Sequence, residues 1–461
     1  MRELLTIDEL ASRTGEPVWQ LRDWLSRGLL QSDPTETFEP PDIERVRLIQ
    51  FFRDHGVNLE AVAEAVKSGR LDISYGSYLG PHLGWRGGPR CSPARAAEIV
   101  GLPTEVVVRL CHVMGVAEEG ESVTAADLDM LKDCKEALDV GVPEEAVVQI
   151  GRVWADALGR VAEAEVRLVH FYVHERLRAA GVSGPTLFQR TNASAERLIA
   201  LVGPAMVYYH RKGMARAVLD DLQLHLVPES PAKKDEPPGK LPAAVMFVDL
   251  SSFTPLTEAM GDLKAAQVLE RFAALVREAA VRWKGRVVKQ IGDAFMLVFF
   301  DARSALRCAL EIEMRASGEP SFPAVRSGVH WGPVLYREGD YVGANVNIAA
   351  RLAEAAGRHD ILVSAALRRE AGGLPDIEFV PLGKRPLKGV AEELEVFEAR
   401  VPRTDVAVRA VDPVCGMELA PEEVAARLSL GGAERLFCSE ACLRQFMAAP
   451  QRYPARTQAH E

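Results

Sequence analysis

Residues 246–258 read MFVDLSSFTPLTE, and residues 285–300 read GRVVKQIGDAFMLVFF. The first is a β-branched, apolar run that ends in an acid, Asp249, and passes through small residues into a helical pattern. A strand, turn and helix in that order present one carboxylate and several backbone N–H groups to a phosphate-bound metal. The second reads as a β-hairpin whose Gly292-Asp293 turn lies between apolar strands, which puts Asp293 at a strand end. Two carboxylates on adjacent strands are what a two-metal site needs, one cation to activate a hydroxyl and one to hold a triphosphate.

Upstream, PESPAKKDEPPGKLP (228–242) holds five prolines in 15 residues and reads as a linker, since such a stretch suits neither helix nor central strand. Before it the apolar residues recur every three or four positions; after it β-branched runs alternate with helical segments. The chain is therefore expected to be multidomain, with an all-α N-terminal half, an α/β second half and a small Cys-rich C-terminal module. The expected boundaries are 1–70, a linker at 71–90, a helical regulatory domain at 91–227, the Pro-rich linker at 228–242, an α/β domain at 243–400, a hinge at 401–410 and a final module at 411–455.

Composition narrows the function. With 48% hydrophobic and 26% charged residues in 461, the chain has the balance of a folded globular protein. A net charge of -10 gives no general field for nucleic acid or anionic lipid. No apolar window is long enough to span a bilayer, and the MRELLTIDEL start carries acids where a signal peptide is apolar, so a cytoplasmic protein with no membrane partner is expected. Seven cysteines, an odd number, suit a reducing compartment.

The first half repeats itself: Gly15-Glu-Pro17 is answered by Gly101-Leu-Pro103 and Asp42 by Asp127, offsets of 86 and 85 residues. Two copies of one small helical unit follow. The first copy resembles the helix-turn-helix of MerR-type regulators, with Thr6 to Gly15 as helix and turn and Val18 to Trp24 as recognition helix. Its 9 Lys/Arg against 13 Asp/Glu over residues 1–70 are poorly suited to phosphates, so DNA stays an open but disfavoured partner and a docking or regulatory module is expected. Between Pro143 and Gly181 runs a long helical pattern with His170 and His174 on one face and Glu175 beside them. These histidines are either ordinary surface residues or a pH-sensitive patch.

Taken together, the motifs from Leu241 to Glu398 resemble the catalytic domain of class III adenylyl cyclases, which implies a ferredoxin-like α/β fold. The resemblance implies Asp249, the Leu250 carbonyl and Asp293 as ligands of two Mg²⁺ or Mn²⁺ ions. It implies Lys289 and Asp340 as the pair that reads adenine, Asn347 and Arg351 as catalytic groups, Arg326 and Lys388 as triphosphate-binding cations, and Phe253 and Thr254 as further substrate-binding residues. A donor for ring N1 and an acceptor for the exocyclic amine fit adenine and mismatch guanine, so ATP is the expected substrate. Asn347 and Arg351, four apart, share a helical face, where an amide can orient ribose and a guanidinium can meet charge growing on the α-phosphate. The resemblance also implies a homodimer with two equivalent sites, metal acids and adenine readers of one site coming from different protomers. The WGPVLYREGD segment is shorter than the dimerisation arm of many relatives, so the long helix is expected to support the dimer. Residues 92–225 resemble the N-terminal domain of soluble cyclases regulated by pH, which adds His210 to the histidine candidates.

The C-terminal DPVCGMELAP and LFCSEACLRQF resemble the small YHS-type metal-binding domain. Cys415, Cys438 and Cys442 are soft ligands for Zn²⁺ or Cu⁺, with Met417, Asp412 or water left open as the fourth. The leading expectation is a soluble adenylyl cyclase making 3′,5′-cyclic AMP and pyrophosphate, regulated by its N-terminal helical and C-terminal metal-binding domains. The alternative is a metal-responsive MerR-like transcription regulator that keeps the cyclase fold as a nucleotide-binding module.

Overall fold

In a computed structural model of the chain, which describes residues 4–71, 73, 90–116, 122–225, 239–319, 322–402, 410–431 and 433–453, the run ending in Asp249 forms β1 (Lys240–Leu250) at the centre of a mixed sheet. Its partners are β2 (Arg286–Ile291), β3 (Ala294–Phe299), β4 (Val325–Arg337), β5 (Asp340–Val342), β6 (Ile361–Ser364), β7 (Glu378–Arg385) and β8 (Leu394–Arg400). The order is β2-β3-β1-β4-β6-β8-β7, with β5 folded back on β4; β4 and β6 run parallel and all other neighbours antiparallel.

Period-two alternation along β1 sets the two faces. Ala244, Met246, Val248 and Leu250 enter one core with Phe272 and Val276 of helix Asp262–Arg282 and Leu306 and Ala309 of helix Ala302–Gly318. Leu241, Ala243, Val245 and Phe247 enter the other, with Val346 and Ala349 of helix Ala344–Ala355. Asp249 continues this second column. Glycine allows helix Ala344–Ala355 to lie on β4: a Cβ at Gly328 would come within 2.1 Å of Ala353 N, and one at Gly332 within 2.7 Å of the Asn345 side chain.

The Pro-rich stretch was expected to remain linker through residue 242, but Lys240 to Pro242 already belong to β1. They pair with Leu335, Val334 and Pro333 of β4, whereas pairing with β3 begins only at Ala244. Pro242 therefore sits where the strand has one neighbour, a position that tolerates a missing donor. The rest of that stretch within 226–238, and most of the 71–90 and 401–410 linkers, lies outside the described residues.

The chain divides into units Met1–Leu219 and Asp220–Glu461. In the first, the sequence repeat is a structural one. Helices Ile7–Thr14, Val18–Ser26, Pro41–Asp54 and Leu59–Lys67 are matched by Pro93–Val100, Thr104–Val113, Ala125–Asp139 and Glu144–Val169. Both copies end their first helix at a left-handed glycine, Gly15 or Gly101, and both close with one antiparallel bridge, Leu5 to Phe38 or Cys91 to Val123. The long pattern after Pro143 is not one uniform α-helix: His170–His174 widens to a π-turn before Glu175–Ala179. Helix Gly184–His225 follows, and none of the helices among the described residues is long and apolar enough to cross a membrane.

In the second unit, β9 (Ala410–Val411) pairs with β10 (Glu418–Leu419), and β11 (Ala426–Leu430) pairs with β12 (Ala433–Phe437) ahead of helix Glu440–Ala448. Val414, Met417, Leu419, Phe437 and Phe446 join the first core of the large sheet, so this module shares a hydrophobic interior with the α/β domain.

Candidate active site

Strand register brings the first cluster together. Asp249 stands opposite Ala294 on β3 and opposite Arg326 on β4. Ala294 follows the two-residue Gly292-Asp293 turn, where Gly292 takes φ 62, so the hairpin delivers Asp293 beside Asp249. Arg326 donates Nε at 3.0 Å and Nη2 at 2.6 Å to Asp249 Oδ2. Burial, and then the neighbouring Asp249 charge, push the Asp293 carboxyl up to about 6, against the pull of Arg326. Two adjacent acids, one of them raised by burial and by the other's charge, fit a hard divalent cation, which would supply the missing positive charge.

Beyond Leu250 the chain turns through Ser251, whose N–H donates to Ala324 O at 2.7 Å, and Ser252, a non-glycine residue at φ 69. Helix Phe253–Met260 follows, with Phe253 packed against the core and Thr254 exposed. A second cluster lies at the β2 and β5 ends: a register shift between Val287 and Lys289 interrupts the ladder, and Lys289 donates to Asp340 Oδ2. Tyr341 next to it is anchored by Arg286, 3.3 Å from its hydroxyl.

Asn347 and Arg351 sit on helix Ala344–Ala355, as expected from their spacing. Arg351 donates to Glu354, and this bond, with the Arg351, Lys388 and Arg326 charges, holds the Glu354 carboxyl below its usual range. Arg326, Arg351 and Lys388 thus share one electrostatic neighbourhood. The helix start is pinned by a buried histidine: His330 Nδ1 lies 2.7 Å from Ser364 Oγ and Nε2 2.9 Å from Asn345 Oδ1, while Asn345 Nδ2 donates to Pro333 O at 2.6 Å. Burial lowers the His330 pKa, so the ring works as a neutral bridge.

The thiols converge as their spacing suggested. Cys415 Sγ is 3.5 Å from Cys438 Sγ, which is 3.6 Å from Cys442 Sγ. A tetrahedral zinc with Zn–S of about 2.3 Å sets thiolates about 3.7 Å apart, so the cluster fits a thiophilic cation. Contacts with Cys415 and Cys438 lower Cys442, whereas contacts with Cys438 and Cys442, and then burial, push Cys415 up. Of the acceptors left open, Asp412 lies beside the sulfurs, within the 4.8 Å group. Its carboxylate accepts from Val414 N and Cys438 N, both at 2.8 Å, and so ties the two Cys-bearing segments to each other. Met417 is buried in the shared core.

Sequence reading missed Glu354, the His330 bridge and a latch formed by Arg358, His359 and Glu418. His359 Nε2 lies 2.8 Å from Glu418 Oε1 and its Nδ1 lies 3.2 Å from Glu313 Oε1. Burial disfavours the imidazolium, but the two carboxylates outweigh it and raise His359 to about 9. Only the Arg351 to Glu354 spacing of three had a local signal; the others join residues far apart in sequence.

His170 and His174 do come together, their rings stacked at 5.5 Å and 13° in the π-turn. His174 Nδ1 is 3.4 Å from Thr191 Oγ1, and His170 Nε2 is 3.9 Å from Glu175.

Comparison with known proteins agrees with this layout. The Adenylate and Guanylate cyclase catalytic domain matches residues 238–398, and the Adenylate cyclase regulatory domain matches 41–210. The MerR HTH family regulatory protein matches 5–69 and the YHS domain 410–457. An uncharacterized protein of Mycobacterium tuberculosis is 30% identical over 372 residues, which cover 77% of this chain and 90% of that protein. A pH-sensitive adenylate cyclase of Mycobacterium tuberculosis is 25% identical over 77% of this chain and 88% of its own length. An adenylate cyclase of Streptomyces coelicolor is 28% identical over 61% of this chain and 71% of its own length. With cyclase catalytic and regulatory domains both matched, and a relative of 30% identity aligned over 90% of its length, the chain belongs to the class III adenylate cyclase family.

Proposed function

We propose that the protein converts ATP to 3′,5′-cyclic AMP and pyrophosphate in the cytoplasm, at two equivalent sites of a homodimer. The observation that carries this reading is the register that sets Asp249 beside Asp293 and Arg326 at the end of β1. Asp249, Asp293 and the Leu250 carbonyl would hold two Mg²⁺ or Mn²⁺ ions, which would supply the charge that acidifies the ribose 3′-hydroxyl and offsets the triphosphate. Asp249 and Asp293 position that charge at the hydroxyl. Arg326 and Lys388 bind phosphate oxygens as pyrophosphate departs, and Phe253 and Thr254 contact the substrate. Asn347 orients the ribose, and Arg351 stabilises negative charge on the α-phosphate in the transition state.

Choice of base rests on Lys289 and Asp340. The lysine donates to adenine N1 and the carboxylate accepts from the 6-amino group; guanine offers the reverse pattern to both. Their contact in one chain supports a pre-organised purine reader. Exposed apolar side chains on the long helices, including Trp154, Leu158, Tyr208 and Tyr209, support a self-association face, and seven free thiols suit a reducing compartment. The N-terminal helices and the thiol module act as its regulators.

The test is cyclic nucleotide formation from ATP or GTP with Mn²⁺ by wild type and Asp249→Ala. Cyclic AMP from wild type alone is expected. Cyclic GTP-derived product at an equal rate would overturn the base assignment, and product from Asp249→Ala would overturn the site.

A further inference from the structure

The loop that carries Cys415 is built into the catalytic turn. Gly416, at φ 74, approaches Ser252 so closely that a Cβ there would meet Ser252 Cβ at 2.8 Å and Oγ at 3.1 Å. Ser252 holds its left-handed backbone just past the Leu250 carbonyl and starts helix Phe253–Met260, so its dihedrals direct the chain between the two.

Further contacts hold the same pieces together. Arg358 Nη2 donates to Gly416 O at 2.9 Å and reaches Glu418 Oε1 at 3.3 Å, and His359 Nε2 meets the same carboxylate oxygen. Pro323 forms an antiparallel bridge with Met417, while its neighbour Ala324 accepts from Ser251 N. At the other end of the loop, Gly416 N donates to Asp412 O at 2.9 Å and Asp412 N to Met417 O at 2.8 Å, which closes a tight knuckle around Cys415.

We propose that the C-terminal module is a positioning element for the catalytic turn: a thiophilic cation held by Cys415, Cys438 and Cys442 fixes the Asp412–Glu418 knuckle, and the knuckle fixes Ser251 and Ser252 behind the carboxylate end of β1. This rests on the reading of Asp249 and Asp293 as the cation site of a cyclase. Arg358 is the positioning residue that transmits the effect, because its guanidinium grips the knuckle through a main-chain carbonyl as well as through Glu418. Loss of the cation frees the two thiol-bearing segments at once, and the strained Ser252 then relaxes at the expense of hard-cation binding nearby.

The experiment reads binding rather than turnover. Full-length protein is stripped with a thiol-competing chelator under reducing conditions, reloaded in separate arms with Zn²⁺ or Cu⁺, and titrated with Mn²⁺ followed by electron paramagnetic resonance. Asp249→Asn, titrated alongside, identifies the catalytic Mn²⁺. One thiol-bound cation per chain is expected in one arm, with Mn²⁺ bound about fivefold or more tighter than in stripped protein. Arg358→Ala should retain the thiol cation yet bind Mn²⁺ alike in both states, and Arg358→Lys should restore part of the difference. Circular dichroism of each variant confirms that it is folded. Equal Mn²⁺ affinity in loaded and stripped wild type, an undiminished difference in Arg358→Ala, or retention of neither cation overturns the proposal alone. Mn²⁺ binding by wild type no stronger than by Asp249→Asn, in both states, overturns the carboxylate reading and the proposal with it.

Discussion

Arg326 and Asp249 face each other across β4 and β1, and the guanidinium gives two hydrogen bonds to a single carboxylate oxygen. On the proposed assignment of Arg326 to the triphosphate, this arginine would compete with a cation for Asp249 Oδ2 in the absence of nucleotide. Arg326→Ala should tighten Mn²⁺ binding about three- to tenfold in the absence of nucleotide, because a partly buried like-signed competitor is gone. The same variant should raise the KM for ATP. Weaker Mn²⁺ binding would show that Arg326 supports the cation site rather than guarding it.

Asp293 makes cation binding depend on acidity. Its carboxyl is raised from 3.8 to about 6 in the folded chain by burial and by Asp249, so below that value a cation must displace a proton. Apparent Mn²⁺ affinity should fall about tenfold per pH unit below pH 6 and level off above it. The stability sign is opposite to that of a salt-bridged acid: the contribution is present below the ordinary carboxylate range and is lost as pH rises through about 6. Asp293→Asn should therefore abolish the pH slope of Mn²⁺ binding while raising the neutral-pH Tm of cation-free protein by about 2–5 °C. Mn²⁺ titrations and melting curves across this range check both statements.

Much of this site was legible because each motif lies within one turn or one strand. Asp249 and Asp293 follow from a strand end and a Gly-Asp hairpin, Asn347 and Arg351 from a spacing of four, and the thiols from Cys438 and Cys442 flanking a helix start. What joins these pieces was not legible. Arg326 meets Asp249 through β1–β4 register, His330 meets Asn345 through packing of a helix on β4, and Glu418 meets His359 through docking of a separate module. Each is a contact between residues distant in sequence, for which spacing carries no signal. The first residues of β1 escaped for another reason: five nearby prolines suggest linker, yet one-sided pairing lets Pro242 enter a strand.

Helix Ala344–Ala355 depends on a residue with no side chain. A methyl at Gly328 would lie 2.1 Å from Ala353 N and 2.5 Å from Ala349 O, main-chain atoms that can give way only if the helix moves. Gly328→Ala should cost about 2–3 kcal/mol of stability and should lower kcat through displacement of Asn347 and Arg351. Gly373→Ala, where nothing lies within 4 Å, is the control and should leave both unchanged. Denaturant unfolding of the two variants separates these outcomes.

The imidazoles of His170 and His174 stack face to face at 5.5 Å within one π-turn. Imidazoles gain charge between about pH 8 and 5, and protonating both rings would set two positive charges face to face within a single π-turn. Glu175 offsets the charge only in part, since it lies 3.9 Å from His170 and is already engaged by Arg178 at 3.1 Å. Glu163 lines the same surface pocket as His170 but is paired with Arg167 at 3.7 Å, Arg167 also lies over Phe171, and Thr191 reaches His174 as a hydroxyl. A π-turn holds one more residue than a regular turn and can return to α geometry, which would rotate the chain beyond it. Cyclase activity of wild type should therefore change with pH across this range, and His170→Ala with His174→Ala should flatten the change while leaving the Mn²⁺ dependence set by Asp293 in place. An unshifted pH–activity profile in the double variant would assign the dependence to the catalytic carboxylates alone.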